Sequence, residues 1–373
     1  MKKPIRVIHV KGQLGPDGAT MILLNLARCL KGKVVFDFVL WADNDSEQEK
    51  EFRKLGSRIY KIGIKTKNPI KRELDKIFRY TKFFRHHKYR IAHFATDSPR
   101  KFDMILCAKV GGVKQRITHS HNSFCERDNE HISNNFLHKI EQKLTYDLST
   151  VRMACSKEAA EWLFPPKYVD NVVILNNGIN WDSYRYSEEV RSEVRREYNI
   201  PEDTFLIGHV GRLAEQKNHK FLIGVFDKLH KEYKNTKLML VGDGPLKDKC
   251  VEDIERRGLT DEVIFTGACT DVSRFLSAMD VFAFPSVFEG LPLTVIEAQA
   301  NGLTCIASDA ITKAVNLDGK VTFLPVDKGE DEWVSNLVSV MNKDSSDRSV
   351  VPADDFDIRK TADQLYKLYK DLM

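Results

Sequence analysis

The chain has 373 residues, 42% hydrophobic and 30% charged, with a formal net charge of +5. At roughly 100–200 residues per domain this length predicts two or three domains, and the balance of apolar and charged residues excludes a disordered chain. The slight basic excess suits anionic small molecules or a membrane surface and is too small to argue for nucleic acid.

The chain opens M-K-K-P-I-R-V-I-H-V-K-G, which imitates a signal peptide for a few residues. Its apolar run is broken by Arg6 and His9 and stops at Lys11, short of the ~7–15 apolar residues of such a peptide. Ile5–Val10 therefore reads as a first strand, and no segment reaches the ~18–20 apolar residues of a spanning helix. The turn that follows, Gly12-Gln13-Leu14-Gly15-Pro16-Asp17-Gly18-Ala19-Thr20, places glycines where backbone could approach a ligand closely. Its spacing is not G-x-G-x-x-G and it contains a proline, which disfavours a dinucleotide-binding dehydrogenase. Met21–Leu30 reads as a helix.

Val34–Leu40, Arg58–Ile62, Ile91–Phe94, Gln115–His119, Val151–Ala154 and Val172–Leu175 read as further strands, with helical patterns between them. Lys67 to Arg90 is a basic amphipathic stretch with Ile70, Leu74, Ile77, Phe78, Thr81 and Phe84 on one face. That face fits a helix packed on the core and equally a membrane-surface helix. Thr118-His119-Ser120-His121-Asn122 follows a strand directly, so His119 and His121 point to one side if the strand continues. They suit contact with a sugar or an acceptor hydroxyl. Their structural alternatives are a metal pair or buried structural histidines, and no H-E-x-x-H or carboxylate–cysteine cluster supports a metal.

Asn176-Asn177-Gly178-Ile179-Asn180-Trp181-Asp182 reads as a turn and domain boundary. We therefore expect an N-terminal domain over 1–180 and a second over 181–358, with a helix over 359–373. After a charged helix from Ser187 to Asn199 the strand series restarts at Phe205–Val210, Leu238–Val241, Val263–Phe265, Val281–Phe284 and Thr304–Ala307. Strand–helix alternation in two successive series predicts two doubly wound parallel α/β domains facing across a cleft, with ligands beyond the carboxyl ends of the strands.

Two stretches of the second domain carry the chemistry. In Gly208-His209-Val210-Gly211-Arg212-Leu213-Ala214-Glu215-Gln216-Lys217-Asn218 the cations Arg212 and Lys217 straddle a short loop before a helix, an arrangement suited to a diphosphate. A solvated loop is the plain alternative. In Phe288-Glu289-Gly290-Leu291-Pro292-Leu293-Thr294-Val295-Ile296-Glu297-Ala298 the proline marks a helix start. The N–H groups of Gly290, Leu291, Leu293 and Thr294 would be free there to meet a phosphate. Glu289 before the helix and Glu297 in its second turn could accept from hydroxyls, or could be ordinary helix acids. Val241-Gly242-Asp243-Gly244-Pro245 alone reads as a turn. The seven cysteines are scattered and never C-x-x-C, which points to a reducing cytoplasm rather than to disulfides or zinc.

G-R-L-x-x-x-K-N, V-G-D-G-P, F-P-S-x-x-E-G-L-P-L-x-x-I-E-A-Q-A-x-G and a glycine turn after the first strand together resemble the retaining GT-B glycosyltransferases of family 4. The H-S-H-N and G-H-V-G-R-L-x-E-Q-K-N-H wording is closest to bacterial capsular and exopolysaccharide members. The resemblance implies transfer of a sugar from a nucleotide-diphosphate donor, a UDP-sugar, to a glycan or lipid-linked glycan at the inner membrane face. No cofactor and no metal are expected. By the same resemblance Glu289 holds the donor sugar and Gly290, Leu291 and Leu293 lie at its phosphate end. Glu297 binds the ribose, Arg212 and Lys217 neutralise the leaving diphosphate, and Gly18 lines the phosphates. His121, with His119 and Asn122 beside it, lies near the transferring sugar and acceptor. Relatives carry a glycine pair in the first turn where this chain has Asp17-Gly18. A sugar-nucleotide epimerase or hydrolase on the same fold, and an inactive partner protein, remain alternative readings.

Overall fold

The structure, a computed structural model, describes residues 3–15, 17–42, 45–63, 68–96, 98–121, 135–269, 271–317, 319–343, 348–350 and 352–373. The chain divides into two compact units, one of Met1–Ile179 with Asp354–Met373 and one of Asn180–Ala353.

The first unit carries strands β1 (Ile5–Lys11), β2 (Val34–Leu40), β3 (Ile59–Lys61), β4 (Ile91–Thr96), β5 (Gln115–Ser120), β6 (Val151–Ala154) and β7 (Val173–Ile174). They form one parallel sheet in the order β3-β2-β1-β4-β5-β6-β7. Helices α1 (Gly18–Cys29), α2 (Glu47–Lys54), α3 (Pro69–His87), α4 (Phe102–Val110), α5 (Asn135–Leu148) and α6 (Lys157–Leu163) connect them. The central strands are nearly continuous apolar runs because both faces are covered. Asp37 of β2 is a carboxylate placed inside this apolar setting. It is buried, and Arg6, the Arg58 N–H and the Tyr89 hydroxyl all donate to its carboxylate.

The second unit has β8 (Phe205–Val210), β9 (Thr236–Val241), β10 (Val263–Gly267), β11 (Val281–Phe284), β12 (Thr304–Ser308) and β13 (Val321–Leu324), in the order β10-β9-β8-β11-β12-β13. Its helices are α7 (Glu188–Glu197), α8 (His219–Glu232), α9 (Lys247–Arg257), α10 (Ser273–Ala278), α11 (Leu293–Ala300) and α12 (Asp331–Met341). In both sheets the strand order reverses beside the unit's first strand, between β1 and β4 and between β8 and β11. The carboxyl ends at such a reversal open a crevice for ligands.

A final helix, α13 (Ile358–Asp371), belongs to the first unit, where Tyr369 is buried and its hydroxyl lies 2.7 Å from His93 Nδ1. The chain re-enters this unit beside Gly178. The Ile179 N–H donates to Phe356 O at 2.8 Å, and the Ile358 N–H donates to Ile179 O at 3.0 Å. A Cβ on Gly178 would stand 2.6 Å from the Ile358 backbone, so only glycine fits there.

The structure decides how the amphipathic stretch is used. Helix α3 buries Tyr80, Phe83 and Phe84, which follow helical spacing and meet Tyr60 and the sheet. Ile70, Leu74, Ile77 and Phe78 stand exposed. Among the described residues no helix is long and apolar enough to cross a membrane.

Candidate active site

The candidate residues fall into two groups, one in each unit. In the second unit the chain leaves β8 at Gly211 and reaches Lys217 through a single turn, Glu215–Lys217. Asn218 then adopts a left-handed φ of 54°, which asparagine tolerates, and α8 begins. Arg212 is exposed and makes no ion pair among the described residues. Lys217 is directed inward, with its Nζ 2.5 Å from Glu289 Oε1 and 4.6 Å from the centre of the Phe284 ring. Side-chain exposures of 14% and 9% make this a largely desolvated ion pair. The sequence reading assigned Lys217 and Glu289 to opposite parts of one ligand, and the structure joins them directly.

Two further bonds hold the loops that carry this pair. The Val287 N–H donates to Gln216 O at 2.9 Å, and the Gln216 amide donates to Phe288 O at 3.0 Å. Gln216 thus ties the residue before Lys217 to the residue before Glu289. The turn at Gly242 to Gly244 supports the same loop from below. Leu213 N–H donates to Asp243 O at 3.1 Å and Leu246 N–H donates to Leu213 O at 3.0 Å. A Cβ on Gly242 would lie 2.1 Å from Gly211 O, and one on Gly244 2.4 Å from Leu213 O. These glycines let the two backbones touch, and that contact fixes the base of Arg212.

Helix α11 starts at Leu293 with Pro292 as its N-cap, one residue later than a proline in the first turn requires. Gly290 and Leu291 lie buried in the approach to it. The Ser286 and Thr294 hydroxyls flank this entry, both buried and without a hydrogen-bond partner among the described residues. Glu297, the second glutamate, keeps only part of its surface and accepts a hydrogen bond of 2.7 Å from the Tyr184 hydroxyl. Burial pushes its carboxyl up to about 7, against the smaller downward pull of that hydrogen bond. Tyr184 is itself seated by Asn301, whose amide donates to the Tyr184 carbonyl at 2.9 Å. Neither Tyr184 nor Gln216 stood out in the sequence, because each lies far along the chain from the glutamate it serves.

Under the loop, His209 donates from Nδ1 to Ala283 O at 2.8 Å and lies against Phe284. Burial holds it well below its ordinary pKa and holds His219 down to about 4. Both are neutral near pH 7, so the positive charge here belongs to Lys217 and Arg212.

In the first unit, His119 is the last residue but one of β5 and is buried, and His121 lies just beyond the strand with its ring centre 4.1 Å away. His93 and His9 continue the row across β4 and β1, at 5.5 and 4.9 Å. Burial lowers His9, His93 and His119 together, so these three rings are uncharged. Asn122 lies outside the described residues. Gly18 is the first residue of α1, and a Cβ there would meet no atom within 4 Å. The protein's own packing does not demand glycine at that position. Asp17 is the N-cap of α1, accepting from the Thr20 N–H at 2.9 Å, with Lys11 Nζ 3.2 Å from its carboxylate. The departure from a glycine pair is thus a capped helix start. Among the described residues no cluster of three His, Cys, Asp or Glu side chains could hold a metal ion.

The family model for glycosyl transferases group 1 matches residues 190–350. The chain is 30% identical over 344 residues to glycosyltransferase EpsF of Bacillus subtilis (strain 168), covering 89% of this chain and 86% of that one. It is 22% identical to the capsular polysaccharide biosynthesis glycosyltransferase CapH of Staphylococcus aureus, over 98% of each chain. Among solved structures, Anabaena Alr3699/HepE in complex with UDP-glucose superposes with a TM-score of 0.80 at 17% identity, covering 98% of this chain and 100% of that one. The expected fold class, two doubly wound parallel α/β domains of the GT-B kind, is borne out.

Proposed function

The chain belongs to the group 1 glycosyl transferases, and from that premise we propose that it moves a hexosyl group from a UDP-sugar to a hydroxyl of a glycan or lipid-linked glycan, with retention of configuration, in capsule or exopolysaccharide synthesis. The observation that carries the reading is the Lys217–Glu289 pair at the strand-order reversal of the second unit, with Arg212 on the same loop. A diphosphate brings negative charge to Lys217 and Arg212, and a sugar brings hydroxyl donors to Glu289. The ligand thereby replaces each partner of the ion pair with a group of matching sign or hydrogen-bonding sense. The UDP-glucose held by the Anabaena protein supports uridine as the base.

In the reaction the bond from the anomeric carbon to the diphosphate oxygen breaks as the bond to the acceptor oxygen forms on the same face. The acceptor proton passes to the departing phosphate oxygen. Charge grows on the diphosphate as it leaves, so Arg212, Lys217 and the N–H groups at the start of α11 stabilise the transition state more than the bound donor. Glu289 fixes the sugar and Glu297 the ribose, which keeps the anomeric carbon in place. His121 and His119 are assigned to the acceptor and Gly18 to the phosphates. A thermal-shift screen across nucleotide sugars tests the reading, because a ligand of the folded state raises its apparent stability. A UDP-sugar should raise the melting temperature, and the Lys217→Ala and Glu289→Ala variants should respond weakly. If no nucleotide sugar stabilises the wild type, the assignment of donor is wrong.

A further inference from the structure

We propose that the outer face of α3 and α4 is a docking surface for an anionic lipid bilayer, with α3 lying flat in the headgroup layer. This deepens the reading above, resting on it for the lipid-linked acceptor such docking would serve; the surface itself stands on its own geometry. Ile70, Leu74, Ile77 and Phe78 are exposed by 73, 63, 41 and 65%. They are spaced i, i+4, i+7 and i+8, so they form one stripe along the helix. Single exposed apolar side chains are ordinary, whereas a contiguous patch marks an interaction site.

The stripe continues onto α4. The two helices meet along a seam where Lys76 Nζ lies 2.8 Å from Asp103 and Cys107 Sγ lies 3.6 Å from Ile77 O. Farther along, a Cβ on Gly111 would lie 2.4 Å from Phe84 Cβ. Leu106 and Val110 each precede a seam residue by one position and are exposed by 42 and 51%. They extend the patch beyond Ile77 on the water side of the seam.

Charge selects the occupant. On the helical wheel Lys71, Lys82 and Arg85 fall within and along one edge of the stripe, all exposed and none in an ion pair among the described residues. The neighbouring cations behave differently: Lys76 binds Glu73 and Asp103, and Arg79 binds Asp75. Lysine is depleted at protein–protein interfaces, but along an interfacial helix its alkyl stem lies on the acyl boundary while the ammonium reaches phosphate. A helix of 19 residues with this many charges lies in the interface rather than crossing it.

The test is co-sedimentation of the full chain with vesicles of phosphatidylcholine alone or with part of it replaced by phosphatidylglycerol. Binding is expected only with phosphatidylglycerol, and it should weaken as salt is raised. The double variant Leu74→Asp/Phe78→Asp should lose at least about a hundredfold in partitioning, and Lys71→Glu/Lys82→Glu at least about tenfold. Both should keep the wild-type melting temperature and its shift with UDP-sugar, since these side chains stand in water. Loss of the UDP-sugar shift in the wild type with vesicle binding intact would sink the donor reading and leave the docking surface standing. Failure of the wild type to bind phosphatidylglycerol vesicles, or equal binding by both variants, would overturn the proposal. So would self-association in the ultracentrifuge that the aspartates abolish while vesicle binding is unchanged, which would assign the face to a second copy.

Discussion

Glu297 gives the most discriminating test of how the donor is held. Its carboxyl is pushed by burial from an ordinary 4.5 to about 7, a difference worth about 3 kcal/mol between protonation states. The sign follows from the direction. Between these two values the unfolded chain has lost the proton that the folded chain keeps, so stability falls as pH rises through this window and is level above it. Glu297→Gln removes that dependence while keeping an oxygen for the Tyr184 hydroxyl. The wild type should therefore lose on the order of 3 kcal/mol relative to the variant from about pH 4.5 to about pH 7.5, read by denaturant unfolding of the second unit. Donor binding should run the opposite way. A ribose diol donates to the ionised carboxylate, so affinity for an intact UDP-sugar should rise about tenfold per pH unit below the midpoint and level off above it. The diphosphate of a UDP-sugar has no proton to lose in this range, and burial holds His209 and His219 below their ordinary values, so both are neutral through its upper part. Tyr184→Phe removes the bond that favours the charged form, so its midpoint should move upward by about one unit, since hydrogen bonds to charged groups contribute about 1.5–3 kcal/mol. Calorimetry over this pH range is the assay. A wild-type affinity that does not change with pH, or a Glu297→Gln variant with the same pH profile as wild type, would refute the reasoning.

Lys217→Ala leaves the Glu289 carboxylate without its cation in a largely desolvated site. Turnover should fall about 10²–10³-fold and stability by up to about 3 kcal/mol. A variant that retains wild-type turnover would remove Lys217 from the mechanism. Gly244→Ala forces a methyl against Leu213 O and should cost at least about 2 kcal/mol. It should also weaken donor binding through the adjoining Arg212, and an unchanged melting curve would contradict the contact. On the proposal that Arg212 and Lys217 supply the positive charge for the departing diphosphate, a chelator should leave turnover unaltered. Inhibition relieved by adding back a divalent cation would require a different account of the leaving group.

Most strands were legible because a strand covered on both faces has to be apolar along its length, and the chain states that locally. β13 escaped because Val321–Leu324 is short and only its end residues are buried. The two motif loops were legible as chemistry, since cations and carboxylates after strands are visible in sequence, but their supports were not. Gln216 reads as a neutral loop residue until Phe288 is placed beside it, and Tyr184 as a boundary residue until Glu297 is. The glycines at 242 and 244 read as a turn, and a turn they form; their function comes from a backbone thirty residues earlier that no local pattern announces. The amphipathic helix shows the same limit from the other side. Its spacing reveals that α3 has an apolar stripe, but Tyr80, Phe83 and Phe84 already satisfy the core. Only the packed structure shows that the remaining stripe is left over beside lysines that form no ion pair among the described residues, which is the observation the docking proposal rests on.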